Sequence, residues 1–349
     1  MNAMISGTGL DQENGQPVGA MLERCLRARM SLPEEQMNGV IRLFNGFYEG
    51  LPGLVVDLFG RTLVIGNHAR EMESVGPLVP DVVNFYLQAL PGIKTVLLKE
   101  RHAAEVERRK GVLLRGETLD ERVRENGVWY ALDLRLNQDS SFYPDTRHLR
   151  EWLKRESAGA KALNCFAYTG ALGIAALAGG AEEVIQGDSN RAYLAMAGRS
   201  AGLNDFSGRM SLLAMDFFKM AGKLKAEGRL FDLVLLDPPL FSSSKGGRVD
   251  LLGDWLSLIN KVRPLVAHEG RLVVVNNALY LPGEAVMGQL KRLEESGYAR
   301  LEAVITVPED ITGYAETIRA EGPADPAPFN HATKISVVGI SRKDKAGAR

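Results

Sequence analysis

The spacing of apolar and polar positions changes character twice along the chain. Around Met21 to Met30 the run MLERCLRARM places its apolar residues on one helical face. With the polar, glycine-containing tail before it, this predicts a helical appendage over 1–37. From Val40 the pattern shortens to β-rich runs cut by turn residues. VIRLFNGFYEGLPGLVVDLFGRTLVIGNHA is punctuated by Gly46, Gly50, Pro52-Gly53 and Gly60. A helix is predicted at about Val79 to Leu90, a strand at Thr95 to Lys99, and a last β pair near Val112 to Leu114 and Val128 to Leu132. Together these predict a small α+β domain over 38–133.

Beyond about Leu149 short apolar runs alternate with helix-period segments. Strands are predicted at Ala162 to Phe166, Val184 to Gly187, Met210 to Ala214, Leu233 to Leu236 and Leu272 to Val275. Helices are predicted between them, among others at Arg191 to Leu203 and Trp255 to Val266. Strand then helix, repeated, is the pattern of a doubly wound, Rossmann-like parallel sheet. Two closing runs, Leu301 to Val307 and Lys334 to Ile340, have no helix between them and predict an antiparallel last strand. The expected fold class is therefore α/β over 134–349, preceded by the small α+β domain.

Composition narrows the function classes. The chain has 349 residues, 45% hydrophobic and 24% charged, enough for two ordinary globular domains. Cys25 and Cys165 stand far apart without a CxxC, and five histidines show no HxxxH spacing, which argues against a disulfide framework and a metal cluster. No window approaches the ~18 apolar residues of a membrane span and the N-terminus has no secretory pattern, so a cytoplasmic protein is expected. The net charge of -1 gives no global attraction to nucleic acid, leaving only local patches such as Arg108-Arg109-Lys110.

In an open parallel sheet, ligands bind beyond the carboxyl ends of the strands, where strand order reverses. The first strand ends in Asn164-Cys165-Phe166-Ala167-Tyr168-Thr169-Gly170, with Gly173 following. Its glycines allow close backbone approach but do not make GxGxxG, so a pyrophosphate cradle is poorly supported. The second strand ends in Gly187-Asp188-Ser189, where an acid can accept from both ribose hydroxyls or cap the next helix. Met215-Asp216-Phe217 follows the third strand. There an acid beside an aromatic can hold an adenine, or Asp216 can be another helix cap. Gly170, Asp188, Asp216 and Asp237, one at each of four successive strand ends, form the pattern of a class I S-adenosylmethionine fold.

The fourth strand runs into Asp237-Pro238-Pro239-Leu240-Phe241. Proline cannot donate a ladder hydrogen bond, so Pro238 and Pro239 end the sheet and stiffen the exit loop. In methyltransferases with a similar loop the acid or a loop carbonyl faces a substrate nitrogen, and Phe241 is then expected to stack on a planar base, against the plainer reading of a turn with a core phenylalanine.

LNCFAYTGALG, GDSNRAYL, FDLVLLDPPLFSSSK and the upstream NQDSSFYPDTRHLREWL resemble the bacterial 23S ribosomal RNA large-subunit methyltransferases of the I and K/L type. RLFNGFYEGLPGLVVDLFG resembles the small domain preceding catalysis in the I type. The resemblance covers about residues 40 to 290. It implies S-adenosyl-L-methionine as cofactor, held by Phe142, Tyr143, Asp145 and Arg147 from the upstream segment and by Asn164, Phe166, Tyr168 and Gly170 from the first strand end. Asp188 with Ser189 would hold the ribose, and Asp216 with Phe217 the adenine. Arg147 also reads as an ion-pair partner on the following helix.

Three departures shape the functional expectation. The I type carries an N-terminal RNA-binding PUA domain, and the ~37 residues before Val40 are too few for one. Cytosine-C5 enzymes use a thiolate that adds to C6 of the base. Their cysteine follows the fifth strand, where this chain reads Val275-Asn276-Asn277-Ala278, and Cys165 reads as a packing residue. The K/L type, which methylates a guanine ring nitrogen, resembles this chain at two places, the DPP-x-F-S-x-S-K loop and the Asn-Asn after the fifth strand. The third departure is a long Pro-rich insertion between the last two strands, in which Tyr314, Phe329 and His331 are expected to form a substrate-side lid.

The reading is a methyltransferase acting on an RNA nucleobase, at nitrogen, by in-line transfer, with Asp237, Pro238, Pro239 and Phe241 positioning the target. Its rivals are a cytosine-C5 enzyme, an enzyme for a small molecule or protein, and a cofactor-binding protein without catalysis. A homodimer is left open.

Overall fold

The computed structural model describes residues 17–32, 39–70, 75–244, 246–253 and 255–342. The chain divides into two compact units, Met1–Asp120 with Glu309–Ala320, and Glu121–Pro308 with Glu321–Arg349.

The first unit carries a five-stranded sheet in the order β1 (Val40–Asn45), β2 (Leu54–Phe59), β3 (Thr62–Asn67), β4 (Thr95–Glu100), β5 (Val112–Arg115). Neighbours are antiparallel except β3 and β4, which are parallel across the helix Val79–Ala89. The helix Val18–Arg29, expected as an appendage, instead buries Met21, Leu22, Cys25 and Leu26 in this unit's core. Its last residue, Arg29, is fully buried and meets Glu49 through both carboxylate oxygens, at 2.9 and 3.1 Å. Within the Arg108-Arg109-Lys110 run, Arg108 is bound to Glu100 at 2.6 and 2.7 Å and Arg109 donates to the Ala103 and Ala104 carbonyls, so two of the three cations have partners.

The second unit opens with a hairpin, β6 (Arg122–Glu125) and β7 (Val128–Ala131). The expected pairing of 112–114 with 128–132 is not formed. Val112–Arg115 extends the first sheet, and Val128–Ala131 turns back on Arg122–Glu125, because Asn126-Gly127 supplies the two positive φ values of a two-residue turn.

A seven-stranded sheet follows. Its strands are β8 (Lys161–Cys165), β9 (Glu183–Asp188), β10 (Met210–Ala214), β11 (Phe231–Leu236), β14 (Val266–Asn276), β15 (Ala299–Ile305) and β16 (Lys334–Ile340), in the order β10-β9-β8-β11-β14-β16-β15. β8 to β11 and β14 are parallel, while β16 inserts antiparallel between β14 and β15. This is the expected doubly wound sheet with antiparallel closure. β11 has five of six residues buried, and Phe231, Val234 and Leu236 join Trp255, Leu258 and Ile259 in one core. Such two-faced burial explains why the strand reads as a continuous apolar run.

Strand order reverses between β8 and β11, whose ends Cys165 and Leu236 are register partners. The residues that follow, Phe166 and Asp237, therefore open on one crevice, the position a ligand occupies in this architecture.

Candidate active site

The crevice is a cavity of about 720 Å³ within the second unit. Its floor is the end of β8, where the chain takes an uncommon path. Phe166 (φ 57°) and Tyr168 (φ 51°) adopt left-handed backbone conformations without being glycine. Hydrogen bonds hold the path in place. Tyr168 N donates to Asp188 Oδ2 at 2.9 Å, and Thr169 Oγ1 to the Ser141 carbonyl at 2.7 Å. Beneath them runs a buried polar chain, Asn164 Nδ2 to Gln186 Oε1 at 2.8 Å and Gln186 Nε2 to the Gly170 carbonyl at 3.0 Å.

Gly170 itself is absent from the cavity wall. A Cβ there would lie 2.4 Å from that of Ala197, so this glycine is needed for helix packing rather than for approach of a ligand.

The acids expected at the strand ends do reach the cavity. Asp188 accepts from Tyr168 N and Asn190 N, one backbone donor per oxygen, and burial raises its pKa against those bonds. Asp216 lines the cavity while also capping the helix Phe217–Ala226, accepting from Phe218 N and Lys219 N. Both readings of Asp216 thus hold together. Ser189, Phe217, Asn164, Phe166 and Tyr168 complete this side, with Phe166 and Phe217 stacked 4.6 Å apart.

Tyr143 and Asp145, with Asp237, Pro238 and Pro239, line the same cavity, and the Tyr143 ring lies 5.2 Å from that of Tyr168. Asp145 Oδ2 accepts from Thr333 Oγ1 at 2.8 Å, but its buried Oδ1 has no partner. The carboxyl of Asp237 is pushed up to about 7, chiefly by burial and then by the neighbouring Asp145 charge. The phenol of Tyr143 is raised by burial and by Asp139, to which it donates at 3.1 Å. Asn164 Oδ1 and Asn277 Oδ1 are likewise buried without a partner on this wall. The wall is rich in acceptors and suits a ligand carrying positive charge and N–H donors.

Three more expected site residues stand elsewhere. Phe142 is buried against Tyr130 with the Arg150 guanidinium 4.2 Å from its ring, and Arg147 turns away to a buried ion pair with Glu125 at 3.4 Å. Phe241 does not line the cavity. Instead of continuing as a loop, the chain folds into a hairpin, β12 (Phe241–Ser244) with β13 (Gly247–Asp250), which presents Ser242, Ser243 and Ser244 to the cavity and leaves Phe241 58% exposed. Lys245 lies outside the described residues.

Of Asn276-Asn277, only Asn277 reaches the cavity. Asn276 is buried and accepts from Ala278 N in a local turn. The expected lid is not formed by the described residues: Tyr314 belongs to the first unit, Phe329 is buried in the core of the second, and His331 Nδ1 accepts from Thr333 N.

Sequence reasoning missed Asn137, Tyr193 and Thr333. Asn137 Nδ2 lies 3.2 and 3.1 Å from the hydroxyls of Tyr168 and Tyr193, tying three segments together across the cavity wall. Asn137 and Tyr193 sit inside NQDSSFYPDTR and GDSNRAYL, so those segments carried the signal. Thr333 had none, because its place depends on β16 returning into the sheet.

Comparison with known proteins agrees with this fold. SMU.776, solved in complex with SAH, superposes with a TM-score of 0.80 at 19% identity, covering 96% of this chain and 83% of that one. An S-adenosylmethionine-dependent methyltransferase from Agrobacterium tumefaciens follows with a TM-score of 0.58 at 17% identity, covering 87% and 90%. At these identities the likeness is one of fold. In sequence, ribosomal RNA large subunit methyltransferase I of Aeromonas salmonicida is 33% identical over 200 residues, 56% of this chain and 50% of that protein. Its Aliivibrio fischeri namesake (strain ATCC 700601 / ES114) is 31% identical over 212 residues, 58% and 52%. The chain thus spans about half the length of these relatives. The model of the S-adenosylmethionine-dependent methyltransferase family matches residues 92–303, across the cavity-forming strand ends, and the chain belongs to that family.

Proposed function

We propose that the chain methylates a nucleobase of RNA at nitrogen, by direct in-line transfer from S-adenosylmethionine. The family supplies the cofactor, and the cavity wall fits it. Asp145 Oδ1, Asn164 Oδ1 and Asn277 Oδ1 are acceptors awaiting donors, beside a second carboxyl, Asp237, that gains from a nearby cation. In this reading Asp188 with Ser189 holds the ribose, and Asp216 with Phe217 the adenine. Tyr143, Asp145, Asn164, Phe166 and Tyr168 surround the amino-acid end. When bound, the cofactor supplies an electrophilic sulfonium methyl.

The observation that carries the choice of nitrogen is Asp237, a carboxyl titrating near neutrality at the strand end and followed by two prolines. A nitrogen with its own lone pair needs only to be placed in line. The bound cofactor would supply the methyl group and take up the electron pair of its broken C–S bond. The N–H proton can pass to Asp237, the carboxyl at this strand end. No cysteine lines the cavity among the described residues, so a C5 mechanism has no thiolate there. RNA as acceptor rests on the names of the sequence relatives.

The test is mass spectrometry of ribosomal and transfer RNA nucleosides from cells with and without the gene, paired with methyl transfer to RNA by the purified protein. The expected result is one N-methylated nucleoside lost in the deletion and restored by transfer in vitro. A C5-methylated pyrimidine would overturn the nitrogen assignment. Cofactor binding without turnover on any RNA would overturn the substrate.

A further inference from the structure

We infer that the outward face of the β6–β7 hairpin, formed by Arg122, Arg124 and Trp129, is a docking surface for the phosphates and a stacked base of single-stranded RNA. The inference rests on the proposed RNA substrate and names where, outside the cavity, the protein grips it.

The hairpin sorts its residues by face. On β6 Val123 and Glu125 are buried, while Arg122 and Arg124 are exposed. Glu125, the carboxylate of β6, points inward and is committed to Arg147 and Arg150. On the outward face Arg124 stands in register with Trp129, and the guanidinium groups of Arg122 and Arg124 lie 4.7 and 5.7 Å from the indole ring.

Some other surface arginines of this unit have carboxylate partners, among them Arg229 with Glu183, Arg248 with Asp250, and Arg271 with Glu156 and Glu302. Arg122 and Arg124 form no ion pair among the described residues. On a chain whose net charge is -1, two adjacent uncompensated cations are a local departure from balance.

The face is also held in place. Trp129 is bonded to Asn204 through both backbone N–H and carbonyl, at 2.9 and 2.7 Å. Ala131 N donates to Ser200 Oγ, and Lys154 Nζ to the Asn126 carbonyl in the turn. Alternate residues of a strand stand roughly 6.6 to 6.8 Å apart, comparable to neighbouring phosphates on an extended nucleic-acid strand. An arginine pair at that spacing flanking an aromatic ring combines phosphate pairing with base stacking, which is sequence-tolerant and dependent on salt.

The test measures binding of a fluorescently labelled single-stranded RNA oligonucleotide to the full chain across a salt series. It compares the natural protein with Arg122→Gln/Arg124→Gln and Arg122→Lys/Arg124→Lys. Loss of two phosphate contacts from the glutamine variant should weaken binding roughly tenfold and reduce the slope of log K against log salt by about 1.4. The lysine variant should keep the slope, and S-adenosylmethionine affinity should be unchanged in both. If the glutamine variant matches the natural protein in affinity and slope while the protein still methylates RNA, the docking face is wrong and the functional reading stands. If the lysine variant falls as far as the glutamine variant with a lowered melting temperature, the arginines are structural and the inference fails. If the natural protein binds no RNA at any salt, both ideas fail.

Discussion

Two regions drawn from the same nine residues, Phe142 to Arg150, treat charge in opposite ways. On one side Arg147 and Arg150 converge on Glu125 at 3.4 and 2.6 Å, all three side chains at most 5% exposed. Arg150 also donates to the Tyr143 carbonyl and Thr146 Oγ1. On the other side Asp145 faces Asp237 across the cavity wall with one oxygen unpartnered. Burying a charge is costly unless it is paired. The Glu125 region meets that requirement internally and is finished when the chain has folded. The Asp145 region is left unmet, and a cationic ligand is what would complete it. The difference separates a charge that builds the fold from a charge that awaits a partner.

The largest effect should come from breaking the finished region. Glu125→Ala leaves two buried guanidinium groups without a carboxylate, for a loss of about 3–5 kcal/mol. A unit of this size would then melt roughly 6–20 °C lower by calorimetry. A change below about 1 kcal/mol would show that the cluster does not anchor the hairpin.

Asp237→Asn should do the reverse. Transfer to RNA is expected to fall by about 10²–10⁴ through loss of the proton acceptor, with no loss of melting temperature. The pH dependence has a definite sign. The folded pKa near 7 lies above the unfolded carboxyl value of about 3.9, so the native state binds the extra proton between those values and stability falls as pH rises through that window. Asparagine removes the penalty. The variant's melting temperature should gain on the natural protein between about pH 4 and pH 7, and the two should converge below it. Parallel curves would mean that Asp237 titrates normally.

The contrast between the two regions also marks what the chain's pattern could reveal. Strand existence followed from continuous apolar runs, and β10 and β16 fall where their residues predict. The strand-end acids were legible because position in a doubly wound sheet fixes which residue faces the crevice. Inside FYPDTR the reading failed for Phe142 and Arg147, because the turn at Pro144–Thr146 and the helix Arg147–Glu156 send successive side chains in different directions. Asp145 faces the cavity and Arg147 the Glu125 cluster, and no local signal distinguishes them. Phe241 departs from expectation for a related reason: the chain after Pro239 folds into the β12–β13 hairpin, which leaves its ring outward.

A smaller effect probes the unfinished region directly. Asp145→Asn removes one like charge beside Asp237 and one acceptor. S-adenosylmethionine affinity measured by calorimetry should fall about 10- to 100-fold, the usual scale for a lost hydrogen bond to a charged group. Stability without ligand should hold or rise, and the Asp237 titration should move downward as its neighbour's charge disappears. A stability loss as large as that of Glu125→Ala would make Asp145 part of the finished structure and erase the distinction.

The smallest effect is expected at Cys165, and it decides between nitrogen and carbon chemistry. The residue lies on β8 in register with Leu236, fully buried and absent from the cavity wall, and burial drives its thiol far above the range in which a thiolate forms near neutral pH. A cysteine that attacks C6 of cytosine must be ionised and must touch the base. Cys165 meets neither condition, so Cys165→Ala should leave methyl transfer within about a factor of two and cost roughly 1 kcal/mol of stability from lost packing. Were transfer instead abolished in a variant that still melts cooperatively and still binds S-adenosylmethionine, the thiol would have to reach the substrate through a rearranged β8 end. The strained turn at Phe166 and Tyr168 would then be the moving part, and the cytosine-C5 reading would replace the nitrogen one.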